Sequence, residues 1–143
     1  SNGGRVENLA ADVGSRSSSR NNRVVVTGMG SVWSNQSGLV VGGYGSRNTV
    51  EIADGAAVYS SSGRIGDQPA AGENHVTVAG SNSAWRITTS PLEVGYRGSQ
   101  NTLLISNGGT VYSFSAQVGS QPGSRSNLAI VAGAGSVWSN TYT

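Results

Sequence analysis

The stretch "NRVVVTGMGSVW" at residues 22–33 decides how this chain is read, because it returns. "NTVEIADGAAVY" begins at Asn48, "NHVTVAGSNSAW" at Asn74, "NTLLISNGGTVY" at Asn101 and "NLAIVAGAGSVW" at Asn127. The intervals are 26, 26, 27 and 26 residues. Residues 1–21 fit as the tail of an earlier unit, since "NGGRVENLAADVG" at 2–14 parallels "NGGTVYSFSAQVG" at 107–119. A fixed period of this length is the mark of a stacked repeat architecture.

Each unit reads as three short strands joined by corners rich in Gly, Ser and Asn. The apolar period is 2, which excludes an amphipathic helix. Strand one has inward slots at Val24/Val26, Val50/Ile52, Val76/Val78, Leu103/Ile105 and Ala129/Val131. Glu51 and Thr77 mark the slot between them as outward. Strand two offers Val32, Val58, Ala84, Val111 and Val137, and strand three Val41, Ile65, Val94 and Val118. One unit cannot bury such a face alone, but a parallel stack of units at ~4.8 Å spacing can. The expectation is an all-β, right-handed, three-sided parallel β-solenoid, a single domain over residues 1–143. It has about 26 residues per coil and five and a half coils, starting at Asn22, Asn48, Asn74, Asn101 and Asn127 after a partial coil 1–21.

Two columns then stand out. Asn22, Asn48, Asn74, Asn101 and Asn127 occupy one corner, where stacked amides can hydrogen-bond along the column and to turn backbone. Gly28, Gly55, Gly80, Gly108 and Gly133 supply the bend after strand one. Trp33, Tyr59, Trp85, Tyr112 and Trp138 follow the inward slot of strand two, so alternation places them on the outer surface or at a corner. Three readings of that aromatic column stay open: mutual stacking, a self-assembly face, or a platform for glycan rings. Trp and Tyr alternate in it, and the third segment alternates too, so the full repeat is a pair of units.

The chemistry-bearing residues are few. The nine basic residues are all Arg against seven carboxylates, and there is no Cys or Lys. That excludes disulfides, thiolate metal sites and a Lys-bearing phosphate loop, and the scattered charge is a poor footprint for nucleic acid. No apolar run reaches the ~20 residues of a membrane helix. His75 is the one histidine, expected to be solvated. Glu51 and Asp54 have no acidic neighbours in adjacent coils. Asp67 and Glu73 flank the loop "DQPAAGE", a weak cation candidate set against a plain solvated loop. No catalytic residue, metal site or cofactor is expected.

The pattern N-x-V-x-V-x-G-x-G-S-x-W, then L-x-V-G, then G-S-x-N, resembles the autotransporter/PEP-CTERM-associated repeat. It is carried by "VVVTGMGSVWSNQSGLVVGGYGSRN" at 24–48 and "LEVGYRGSQNTLLISNGGTVY" at 92–112. The resemblance implies β-helical stalk regions of exported bacterial surface proteins, with no activity in the repeats themselves. "AGSNSAW" at 79–85 and the extra residue near Pro91 depart from it. The expected role is a rigid rod at the cell surface, a piece of a longer array or a unit that stacks on its own copies. The alternative is an adhesion module binding glycan through the aromatic column.

Overall fold

The computed structural model describes residues 3–142; residues 1, 2 and 143 lie outside the described residues. Among the described residues sixteen strands wind in order through three parallel sheets. A partial turn holds β1 (Arg5–Asn8) and β2 (Ala11–Val13). Turn 1 holds β3 (Arg23–Thr27), β4 (Val32–Asn35) and β5 (Gly38–Val41). Turn 2 holds β6 (Thr49–Ala53), β7 (Ala57–Ser60) and β8 (Ser62–Ile65). Turn 3 holds β9 (His75–Ala79), β10 (Ala84–Ile87) and β11 (Leu92–Val94). Turn 4 holds β12 (Thr102–Ser106), β13 (Thr110–Ser113) and β14 (Ala116–Val118), and turn 5 holds β15 (Leu128–Ala132) and β16 (Val137–Asn140).

Every strand pairs only with its equivalent one turn away. The sheets run β1-β4-β7-β10-β13-β16, β2-β5-β8-β11-β14 and β3-β6-β9-β12-β15. The expected parallel β-solenoid with three sheets is therefore the observed fold. Val50, Ile52, Val76, Val78, Leu103 and Ile105 of the third sheet are fully buried, as are Val41, Ile65 and Val94 of the second. The core is a narrow apolar column between the three inner faces. Val131 and Val118, near the last turn, keep nearly half their surface exposed because no further turn covers them.

The first sheet corrects the sequence reading. Pairing aligns Val6, Trp33, Val58, Trp85, Val111 and Trp138 in one column, and Glu7, Ser34, Tyr59, Arg86, Tyr112 and Ser139 in the next. The aromatic column expected on the outside is thus two columns. Trp33 and Trp85 point into the core, at 9% and 0% exposure, and Trp138 packs against it, while Tyr59 is exposed. Val58 and Val111 are inward as expected, but Val32, Ala84 and Val137 take the outward slot.

The cause is a corner length. Between strands one and two the Trp turns use four residues (28–31, 80–83, 133–136), and the Tyr turns use three (54–56, 107–109). Side chains alternate with period 2, so one residue fewer turns the aromatic from the core to the solvent. That residue, together with one or two more lost between strands two and three (61 against 36–37, 114–115 against 88–91), is made up later. The corner between strands three and one has nine residues before Trp turns (14–22, 66–74, 119–127) and seven before Tyr turns (42–48, 95–101). The near-constant spacing of the Asn residues conceals this exchange.

Candidate functional site

The asparagine column is the most regular feature of the molecule. Asn48 Oδ1 accepts hydrogen bonds from the backbone N–H and the Nδ2 of Asn22, at 3.1 and 2.8 Å. Asn74 Oδ1 does the same for Asn48, Asn101 Oδ1 for Asn74, and Asn127 Oδ1 for Asn101, at 2.9–3.1 Å. Nδ2 also reaches turn carbonyls, Gly45 for Asn74 and Gly98 for Asn127. Asn48, Asn74 and Asn101 are fully buried. A buried amide is costly unless its donors and acceptor are matched, and this arrangement matches them turn after turn.

The glycine closing strand three makes room for this ladder. A Cβ on Gly42 would stand 2.1 Å from Asn74 Nδ2, and Gly66 and Gly95 oppose Asn101 and Asn127 as closely. Their φ angles of +79°, +78° and +75° are also left-handed. Two constraints therefore fix the "VG" and "IG" ends of strand three: no side chain fits, and the backbone turns where L-residues rarely go. The residue before each ladder Asn, from Asn21 to Ser126, is left-handed as well, with φ between 55° and 60°.

The tryptophans form a second internal device. Trp33 Nε1 donates to Asn8 Oδ1 at 2.8 Å, Trp85 Nε1 to Ser60 Oγ at 3.0 Å, and Trp138 Nε1 to Ser113 Oγ at 3.1 Å. In each case the acceptor lies in the preceding turn, two residues beyond the Val that pairs with the Trp. Each indole therefore leans back onto the turn before it. That turn carries a small residue at the facing position of the second sheet: Ala11, Gly63 or Ala116. Trp turns place Leu39 and Leu92 there instead.

The outer surface carries the charge. Arg23 pairs with Glu51, Arg47 with Glu73, and Arg5 with Glu7. Arg64 bridges Asp67 and Glu93 at 2.9 and 2.8 Å and lies 4.3 Å over the Tyr96 ring. Arg86 lies 4.5 Å over the Tyr112 ring, with Tyr59 on its other side in the column. Asp12 accepts from the Gly43 N–H, and partial burial raises its pKa above the ordinary carboxylate value. Asp54 accepts from Thr27 Oγ1. His75 is half-buried, shares a hydrogen bond with Thr77 Oγ1, and is shifted by burial below the usual histidine pKa, so it is less solvated than its slot suggested.

Asp67 and Glu73, the weak cation candidates, each hold an arginine instead. Among the described residues no three of His, Asp and Glu gather as a metal-binding set, and no helix is long and apolar enough to cross a membrane. Hollows break the surface among the described residues. One of 740 Å³ lies at the N-terminal end of the core, between Val6, Ala11, Val24 and Trp33. Another, of 240 Å³, lies on the corner between the second and third sheets.

Compared with family models, with curated proteins and with solved structures, the chain matches none. The resemblance to the autotransporter-associated repeat is thus carried by the quoted residues alone.

Proposed function

We propose that the chain is a non-catalytic structural segment of an extracellular bacterial surface protein or fibre, working as a rigid rod. One observation carries this reading: the residues that recur with the period are used inside the stack. Asn22, Asn48, Asn74, Asn101 and Asn127 bond to one another, and Trp33, Trp85 and Trp138 bond to the preceding turn. A repeat devoted to a ligand would present its recurring side chains to solvent. The repeat resemblance supports the surface setting, and a Cys-free, Lys-free composition agrees with it.

Three parallel hydrogen-bond ladders run the length of the stack, so extension along its axis strains all of them together. An adhesion role for the aromatic column loses its three tryptophans to the core, and Tyr59 and Tyr112 remain on the outer face.

Electron microscopy of material carrying increasing numbers of these turns tests the proposal. Thin rods that lengthen by ~4.8 Å per added turn are expected. They should resist proteases that cut exposed loops. Compact particles whose length ignores turn number would overturn it, as would new reducing ends released from a polysaccharide.

A further inference from the structure

The alternation in corner length has a result on the outside of the solenoid. Each seven-residue corner is flanked by nine-residue corners, and around 95–101 a hollow, or notch, opens between the two longer ones. In turn 3 the notch lies between corners 66–74 and 119–127, with 95–101 as its floor. It is the 240 Å³ hollow, lined by Pro69, Arg97, Ser99, Gln121, Pro122 and Gly123. The two walls carry the same dipeptide, Gln68-Pro69 and Gln121-Pro122.

We propose that this notch binds one carboxylated sugar ring of an acidic polysaccharide. Its walls come from turns two steps apart, about 9.6 Å at ordinary strand spacing, which leaves room for one sugar ring between two prolines. The rigid pyrrolidines offer apolar surface without ordering cost. The volume is below the usual range for larger ligands, ~300–1,000 Å³, and suits a single saccharide unit.

The floor supplies the charge. Arg97 is exposed, stacks at 5.3 Å on the Tyr96 ring and makes one long bond, 3.4 Å, to Gln68 Oε1. Like Arg16, Arg20, Arg86 and Arg125 it has no carboxylate partner among the described residues, and of these it is the one that lines the hollow. A planar guanidinium held by a ring and lacking an anion is prepared for a bidentate carboxylate. The Gln121 amide can meet a neighbouring hydroxyl. Ser99 Oγ is already engaged, donating to the Gly123 carbonyl and accepting from the Arg125 N–H, so it shapes the floor.

The equivalent corner of turn 1, residues 42–48, is the built-in contrast. There Tyr44 occupies the position of Arg97, Arg47 is tied to Glu73, and corner 14–22 has no proline. An acidic peptide is a poorer occupant, because the notch offers no free strand edge to pair with peptide backbone.

The test is an ¹H–¹⁵N NMR titration of the whole chain with oligogalacturonate, using neutral xylo-oligosaccharide and poly-glutamate as comparisons. Shifts should concentrate at residues 68–70, 96–99 and 121–123, with millimolar affinity for oligogalacturonate and none for the neutral sugar. Arg97→Ala should weaken binding about tenfold or more at unchanged melting temperature, and the pair Pro69→Ala and Pro122→Ala several-fold. The proposal fails if Arg97→Ala binds as well as the native chain. It also fails if the neutral sugar or poly-glutamate binds equally, or if no shift appears in the notch.

Discussion

Gly63 lies directly beneath the indole of Trp85: a Cβ at position 63 would stand 2.7 Å from Trp85 Cζ2 and 2.9 Å from Leu92 Cδ1. One residue is empty so that the other can be full. Trp85 is completely buried and hydrogen-bonded to Ser60, so it cannot swing away without losing both burial and its N–H partner.

Gly63→Val should therefore overpack the core and cost about 1–3 kcal/mol. Trp85→Ala should cost about 3–5 kcal/mol through the cavity it leaves. Combining Gly63→Val with Trp85→Val should cost less than the sum of the single changes by about 1 kcal/mol or more. Denaturant unfolding of the three variants measures this. Strict additivity would mean that the two side chains do not share the space.

The amide ladder predicts a gradient along one column. Asn74→Ala removes the acceptor of two buried donors from Asn48 and should destabilise by about 2–4 kcal/mol. Asn22→Ala loses one bond at an exposed position and should cost about 1 kcal/mol. Melting curves of the two variants give the comparison, and equal losses would deny that burial sets the value of each rung.

Two glycines with similar backbones should behave differently. Gly42 has φ +79° and faces Asn74, whereas Gly123 has φ +91° and nothing within 4 Å. Gly123→Ala should cost only about 1 kcal/mol, the conformational part alone. Gly42→Ala should cost distinctly more, because the ladder must also be displaced. Similar midpoints for the two variants in urea would contradict this.

His75 predicts a pH dependence. Burial lowers its folded-state pKa below the ordinary histidine value of 6.5, so the unfolded chain takes up a proton first as pH falls. Stability should be full above that value and should decline as pH drops through it towards the folded pKa. His75→Thr, the residue found at positions 49 and 102 of the same column, should flatten the decline. Thermal melts between about pH 7 and 5.5, above the carboxylate range, report it. An equal slope in both proteins would remove His75 as the cause.

Much of this molecule could be read from its letters. Repeated asparagines and alternating aliphatics place the strands, and the ladder follows from identical side chains at one corner. The inward or outward aim of Trp33 and Tyr59 could not be read in the same way. Both stand eleven residues after their asparagine, yet they belong to different columns, because three residues span the bend in one turn and four in the other. Bend length is set by backbone geometry, with Asp54 and Asn107 left-handed in the short form and Gly28 and Gly30 in the long one. Ala11 and Gly63, one turn before Trp33 and Trp85, offered a clue, since the smallest residues precede the largest by one turn. The notch around Arg97 was hidden for a related reason: its walls are 53 residues apart in sequence and meet only after the chain has wound twice.

The compensated bends also bear on heredity. A duplication or deletion of a single turn would set two long bends, or two short ones, in succession. Indole would then meet leucine where it needs alanine or glycine, and one ladder side chain would arrive from a corner of the wrong length. Copying two turns together avoids both faults. The segment that recombination can add or remove without penalty is therefore about 52 residues, so rods of this kind should differ in length by even numbers of turns.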